Sequence, residues 1–284
     1  MDGSFGVIFG VIAMFCWGFS DFFISKAVKG CDVFRAFFWS QIIFVLFLLP
    51  IFIFFFELPV FSLFTLALVV VSAVLGVVAN LAFYRSLKEG KVSIVMPVAS
   101  CWAVVTVFLS LAFLGERLAL LQGFGVVLVI AGAVLVSFRW RDLLKLENHA
   151  AGVKYAVVAA LAFGVDFVVI DVLVEEIGWF LPIFLTGVVM TFCLIAYSRS
   201  SGKDVSFPKG VLFFVACVAV LDALAYLSYG AGVSFEYAAI VAPIGSASPA
   251  VSIVLARILY RERVDFNQNV GIVSVLLGLV ALSL

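Results

Sequence analysis

Residues 94–100 read IVMPVAS, and residues 240–246 read IVAPIGS. Both stretches are apolar, both carry a proline at the same place, and both close on a serine. The offset between them is 240 minus 94, or 146 positions. Proline removes a backbone donor and disturbs the interior of a helix. A chain that puts one into the same apolar phrase twice is reusing a unit.

The same offset aligns much more. Gly6 falls on Gly152, Gly18 on Gly164, Pro97 on Pro243 and Ser100 on Ser246. Glu116–Arg117 falls on Glu262–Arg263, and Gln122, Gly125 and Gly132 fall on Gln268, Gly271 and Gly278. Aligning 113–137 with 259–283 gives 9 identities in 25 positions, with no gap from the first apolar run to the last. Apolar residues match cheaply, so the proline, glutamate–arginine, glutamine and glycine matches carry the weight.

Composition says what the unit is built for. Of 284 residues, 66% are hydrophobic, 12% are charged, and the formal net charge is zero. Soluble domains carry about 45–50% apolar and about 25% charged residues. The mean hydropathy of +1.31 points to lipid as the solvent. A helix needs roughly 20 apolar residues to cross a bilayer. Ten stretches meet that need: 5–27, 34–56, 62–87, 92–114, 119–138, 152–174, 180–198, 209–233, 237–260 and 266–284. Runs such as FVLFLLPIFIFFF (44–56) do not alternate as barrel strands do. The expected fold is an all-α membrane protein with ten transmembrane helices in two inverted five-helix repeats. The halves are expected over 1–138 and 152–284, joined by a cytoplasmic connector over 139–151. Five is odd, so the second half enters the membrane from the opposite face, the arrangement of secondary transporters with a site between the halves.

The basic residues agree with the count. Of the 17 Lys and Arg, 16 fall on the odd-numbered connections and only Arg117 on the even side, which also holds both termini. Basic residues stay in the cytoplasm. The chain is therefore expected to be a multi-pass protein of the cytoplasmic membrane with both termini outside. No basic n-region precedes the first apolar run, and no cleavable signal peptide is expected.

Several function classes are disfavoured. The five cysteines form no CxxC pair, and one histidine, His149, cannot make a metal cluster. No HExxH, GxSxG or P-loop occurs. No catalytic residues, metal, cofactor or nucleic-acid partner are expected, and primary pumping by this chain alone is not.

The paired features resemble a known family. Two five-helix halves each open with an aromatic–glycine step (Trp17–Gly18, Phe163–Gly164). Each then has a mid-helix proline, a GER-like turn (GER 115–117, RER 261–263) and a glycine-rich last helix. Together they are similar to the EamA group of the drug/metabolite transporter superfamily, across essentially the whole chain. The second half departs from the pattern at Phe163 and Arg261. The resemblance implies export or exchange of small metabolites, amino acids or drugs by alternating access.

Site candidates follow from the cost of charge in a membrane. Asp166 and Asp222 lie near midplane and are candidates to bind a substrate amine or a proton. Asp21 is a further proton-coupling candidate, able to pair with Lys26, and Asp171 can reach the interface. No Lys or Arg falls at midplane, so cationic, zwitterionic or neutral solutes fit better than dianions. Trp17, Asn80, Tyr84, Ser100, Trp102, Tyr226, Tyr229, Ser246 and Ser248 are the accompanying polar and aromatic candidates for the substrate site. Pro97 and Pro243 are candidate helix-kink or gate positions. Glu116 and Glu262 are read as structural, each complementing the dipole of the helix it opens. The glycines of 123–132 are read as a static strut, with a dimer seam as the alternative. The leading function is a secondary transporter of an amino acid, amine or amphipathic neutral or cationic solute, acting in export. An uncoupled facilitator or channel, a multidrug exporter of the same fold and a non-transporting receptor are the alternatives. The expected partners are a small-molecule substrate and the bilayer, with the proton as candidate coupling ion and a monomer or homodimer as the assembly.

Overall fold

The computed structural model describes residues 3–56, 59–137, 150–260 and 265–284. The described residues form helices and connections, with no strand among them. In the first half, α1 is Gly3–Gly30, α2 Val33–Phe55, α3 Leu63–Glu89, α4 Val92–Ser100, α5 Trp102–Leu109 and α6 Leu120–Ser137. A π-turn, Ser110–Leu114, extends α5. In the second half, α7 is Ala150–Ile177, α8 Leu181–Ser201, α9 Leu212–Val233, α10 Ala238–Ser246, α11 Ser248–Tyr260 and α12 Phe266–Leu282. Among the described residues, eight helical stretches are long and apolar enough to cross a membrane. Two more apolar stretches, Ala238–Ser252 and Phe266–Leu282, are shorter. Most of the connector, with His149, and the RER turn containing Glu262 lie outside the described residues.

Local chemistry starts and stops these helices. The Asp32 carboxylate accepts from Phe34 N–H at the start of α2, and Ser62 accepts from Thr65 N–H at the start of α3. Asp265 and Gln268 form a reciprocal capping box on α12. Gly202 ends α8 at φ 60°, in the left-handed region where a side chain is strained.

The two broken phrases give matching breaks. The prolines sit inside α4 and α10, and the α-helix is interrupted four residues later, at Cys101 and Ala247. There the amides bond three residues back, Cys101 N to Val98 O and Ala247 N to Ile244 O. Each proline carbonyl is taken by a side chain instead: Cys101 Sγ donates to Pro97 O at 3.3 Å, and Ser246 Oγ to Pro243 O at 2.8 Å. The break therefore follows each proline rather than coinciding with it.

Contacts between the halves exchange under the 146-residue offset. A Cβ on Gly132 would lie 2.8 Å from Gly271 O and 2.8 Å from Val275 N; one on Gly278 would lie 2.9 Å from Gly125 O and 2.9 Å from Val129 N. Gly18 packs on Val251 just as Gly164 packs on Val105, and Gly6 meets Glu236 as Gly152 meets Gly90. Gln41 Nε2 donates to Gly187 O at 3.1 Å, a bond between two positions that are each other's offset mates. Such exchange requires a pseudo-two-fold axis between the halves, and the Gln41–Gly187 bond lies on it. The glycine faces of α6 and α12 pack on each other within the chain.

Glu116 acts across this axis. Its carboxylate accepts from Ala238 N–H at 3.0 Å and from Ala239 N–H at 2.9 Å, at the first turn of α10 in the other half. The N-cap residue of α10, Tyr237, offers no side-chain acceptor. Glu116 thus caps a distant helix rather than the one it precedes. Burial pushes its carboxyl above the ordinary range, and the two amides pull it back only in part. Glu116→Ala would leave two buried N–H groups without partners, so we expect it to destabilise the fold by about 2–3 kcal/mol. Thermal unfolding in detergent would read this, and an unchanged midpoint would refute the capping role.

Candidate functional site

Two cavities lie side by side between the halves. The first is bordered by α2, α3, α7, α8 and α9, and includes Ser40, Gln41, Asn80, Asp166, Thr186 and Asp222. The second is bordered by α1, α3, α4, α5, α7 and the α9–α11 region, and includes Trp17, Asp21, Ser100, Trp102, Asp222 and Tyr226. Asn80, Asp222 and Tyr226 border both and form their common wall. Asn80 and Tyr226 are offset mates, as are Ser40 and Thr186 in the first cavity and Trp17 and Phe163 in the second. The cavities therefore stand in tandem along the pseudo-two-fold axis.

The carboxylates break this symmetry. The offset mates of Asp166, Asp222 and Asp21 are Ser20, Gly76 and Phe167. Asp166 is 2% exposed and accepts from Ser72 Oγ at 2.6 Å. Asp21 accepts from Ser248 Oγ at 3.0 Å. Ser20 stands beside Asp222, but its Oγ has no partner in hydrogen-bonding geometry. Asp222 thus faces both cavities without a hydrogen bond from a described residue. Asp21, Asp166 and Asp222 are the only charged side chains among the described cavity-lining residues.

The second cavity is an aromatic box. Trp102 stacks on Phe167 with centroids 4.3 Å apart, and the edge of Trp17 meets Tyr226 at 5.5 Å and Phe167 at 5.5 Å. These contacts place Trp17, Trp102 and Tyr226 around Asp21 and Asp222.

Of the residues singled out in the sequence, Trp17, Asp21, Asn80, Ser100, Trp102, Asp166, Asp222, Tyr226 and Ser248 border the cavities. Three stand behind them. Tyr84 is buried with its hydroxyl 3.2 Å from Ser40 Oγ. Tyr229 is buried against Phe167 and Trp17. Ser246 is committed to Pro243 O. Asp171, expected to reach the interface, is 5% exposed and points inward.

The EamA-like transporter family matches residues 4–138 and 150–284. The chain belongs to that family. It is an integral, multi-pass membrane protein and a transporter of two EamA repeats. It is 26% identical over 280 residues to an uncharacterized transporter of Archaeoglobus fulgidus, covering 98% of both chains. It is 47% identical over 68 residues to an uncharacterized protein of Methanocaldococcus jannaschii, covering 24% of this chain and 50% of that one. A solved crystal structure shares the fold with a TM-score of 0.70 at 15% identity, covering 98% of both chains.

Five residues used in describing this EamA transporter's site are absent from the sequence candidates: Ser40, Gln41, Ser72, Phe167 and Thr186. The repeat held a signal for three of them. Thr186 is the offset mate of Ser40, and Gln41 is the mate of the glycine it bonds. Ser72 carries no such mark, since its mate is Val218.

Proposed function

We propose that this EamA transporter moves a small neutral, cationic or zwitterionic solute (an amino acid, an amine or an amphipathic molecule) through the paired cavities by alternating access. The observation that carries the reading is Asp222, a carboxylate inside a membrane-spanning helix that borders both cavities, with Ser20 beside it but no described residue in hydrogen-bonding geometry to it. A charge at membrane depth is costly and marks a solute or proton path. In this reading the ten apolar stretches all cross the membrane, the halves are inserted in opposite senses, and 139–151 joins them in the cytoplasm. The breaks after Pro97 and Pro243 are the flexing points of the two gates. The direction is export across the cytoplasmic membrane, with a proton competing for the aspartates as coupling ion.

The experiment is solute exchange from liposomes. Purified protein is reconstituted with a mixed pool of amino acids, amines and other small metabolites, with and without an imposed pH gradient. Saturable loss of one chemical class, with a steady state set by the gradient, supports coupled transport. Saturable loss whose rate alone responds to the gradient makes the protein a facilitator. Release of no solute above empty liposomes overturns the transport path through these cavities.

Orientation has its own test. In a cysteine-free background, Ser283→Cys is expected to react with an impermeant maleimide on intact cells, and Ser206→Cys only after permeabilisation. The reverse pattern would invert the topology.

A further inference from the structure

Among its described lining residues the first cavity offers acceptors and no cation. Asn80 spends an Nδ2 hydrogen on Gly76 O at 2.9 Å, and Gln41 spends an Nε2 hydrogen on Gly187 O at 3.1 Å. Those bonds orient both carboxamides with their oxygens still able to accept. Thr186 is 6% exposed, lines this cavity, and its Oγ1 has no hydrogen-bond partner. Buried hydroxyls are normally satisfied, so an unpartnered one on a cavity-lining residue is a candidate contact for a solute. Asp166 keeps acceptor capacity beyond its bond to Ser72, and Asp222 has all of its own. Beside the remaining N–H and O–H groups of Gln41, Asn80 and Thr186, two carboxylates with spare acceptor capacity favour an occupant that carries positive charge.

The second cavity asks for the opposite. Trp17, Trp102, Phe167 and Tyr226 present ring faces and edges, which suit an apolar or aromatic body. Among the described residues, no Lys, Arg or His lines either cavity to meet a carboxylate.

We propose that the two cavities together bind a primary aralkylamine: its ammonium among Gln41, Asp166, Thr186 and Asp222, its ring in the Trp17–Trp102–Phe167 box, and its methylene link past the Asn80–Asp222–Tyr226 wall. This rests on the transport reading above and narrows its solute class. A carboxylate on the same molecule, as in an amino acid, would face three aspartates and no positive partner. The absence of a matching cation among the described lining residues is thus the specificity device against amino acids.

The test compares molecules that differ by one group. Exchange of labelled phenethylamine is measured in proteoliposomes against phenylalanine, 2-phenylethanol and 3-phenylpropionate as competitors, beside the mixed pool. The expected result is saturable phenethylamine exchange, with phenylalanine competing at least about tenfold more weakly, the loss of one charge-assisted contact. Thr186→Val, which keeps the shape and removes the oxygen, is expected to raise half-saturation for phenethylamine about tenfold. Phenylalanine exchange equal to or better than phenethylamine overturns the amine class and leaves the transport reading intact. So does exchange of other pool members with no amine among them. Exchange of nothing in the pool overturns both. The wild-type comparison needs no variant, so a misfolded Thr186→Val protein does not decide the outcome.

Discussion

Asp222→Asn is expected to lower saturable exchange of the transported solute about 30-fold or more, the effect of removing one partner from a desolvated charged contact. Folded yield is expected to stay near that of the wild type. The argument is geometric. Asp222 borders both cavities and accepts no hydrogen bond from a described residue. Asparagine is isosteric, keeps a carbonyl oxygen toward Ser20, and removes a charge that is costly to bury. Structure and function are therefore separable at this position. Asp166→Asn serves as the comparison, because Ser72 can still donate to the remaining carbonyl oxygen. Exchange rates in proteoliposomes and melting in detergent would be read side by side. Unchanged exchange would remove Asp222 from the transport path, and a matching collapse of both quantities would make it a packing residue.

Gly271→Leu is expected to destabilise the fold by about 3 kcal/mol or more, the upper range for overpacking a tight interior contact. A Cβ at 271 would lie 2.6 Å from Val136 N and 2.7 Å from Gly132 O, and those backbone atoms cannot turn away as a side chain could. Gly123→Leu is the control, because a Cβ there meets nothing within 4 Å. It is expected to change stability by no more than about 0.5 kcal/mol, as for an ordinary exposed site. Thermal unfolding of both variants in one detergent checks the contrast. Equal stability of the two proteins would mean that α6 and α12 do not rely on close glycine contact.

Much of this architecture was legible in the sequence because the repeat is gapless. One offset brought together the proline phrases, the glycines of the α6–α12 seam and the mates Asn80 and Tyr226. The aspartates were legible because charge is rare in apolar runs. Positions decided by neighbours across the halves were not. Glu116 reads locally as the start of α6, yet its acceptors serve Ala238 and Ala239, 122 and 123 residues away. Thr186 reads as one more hydroxyl in an apolar helix, and only its place in a cavity wall with an unpartnered oxygen distinguishes it. Tyr84, Tyr229 and Ser246 looked like site residues by type and depth. Their positions on the helices turn them to Ser40, the aromatic packing and Pro243 O instead. The helix break shows the same limit: proline is visible in sequence, but the carbonyl it leaves to Cys101 Sγ or Ser246 Oγ is visible only in space.

The exchanged contacts at the seam bear on how such a chain could arise and how it could be taken apart. Each half presents the surface that the other half needs: α6 offers Gly125 and Gly132 where α12 offers Gly271 and Gly278, and Gly6 meets Glu236 where Gly152 meets Gly90. Neither half closes its own core. Cut between them and produced as separate polypeptides, the halves should reassemble on each other. Two copies of a single half, inserted head-up and head-down, would rebuild the same seam. What such a homodimer would lack is the uneven placement of Asp21, Asp166 and Asp222. Duplication supplies the frame, and divergence after fusion is what lets the two faces of the central chambers carry different charge.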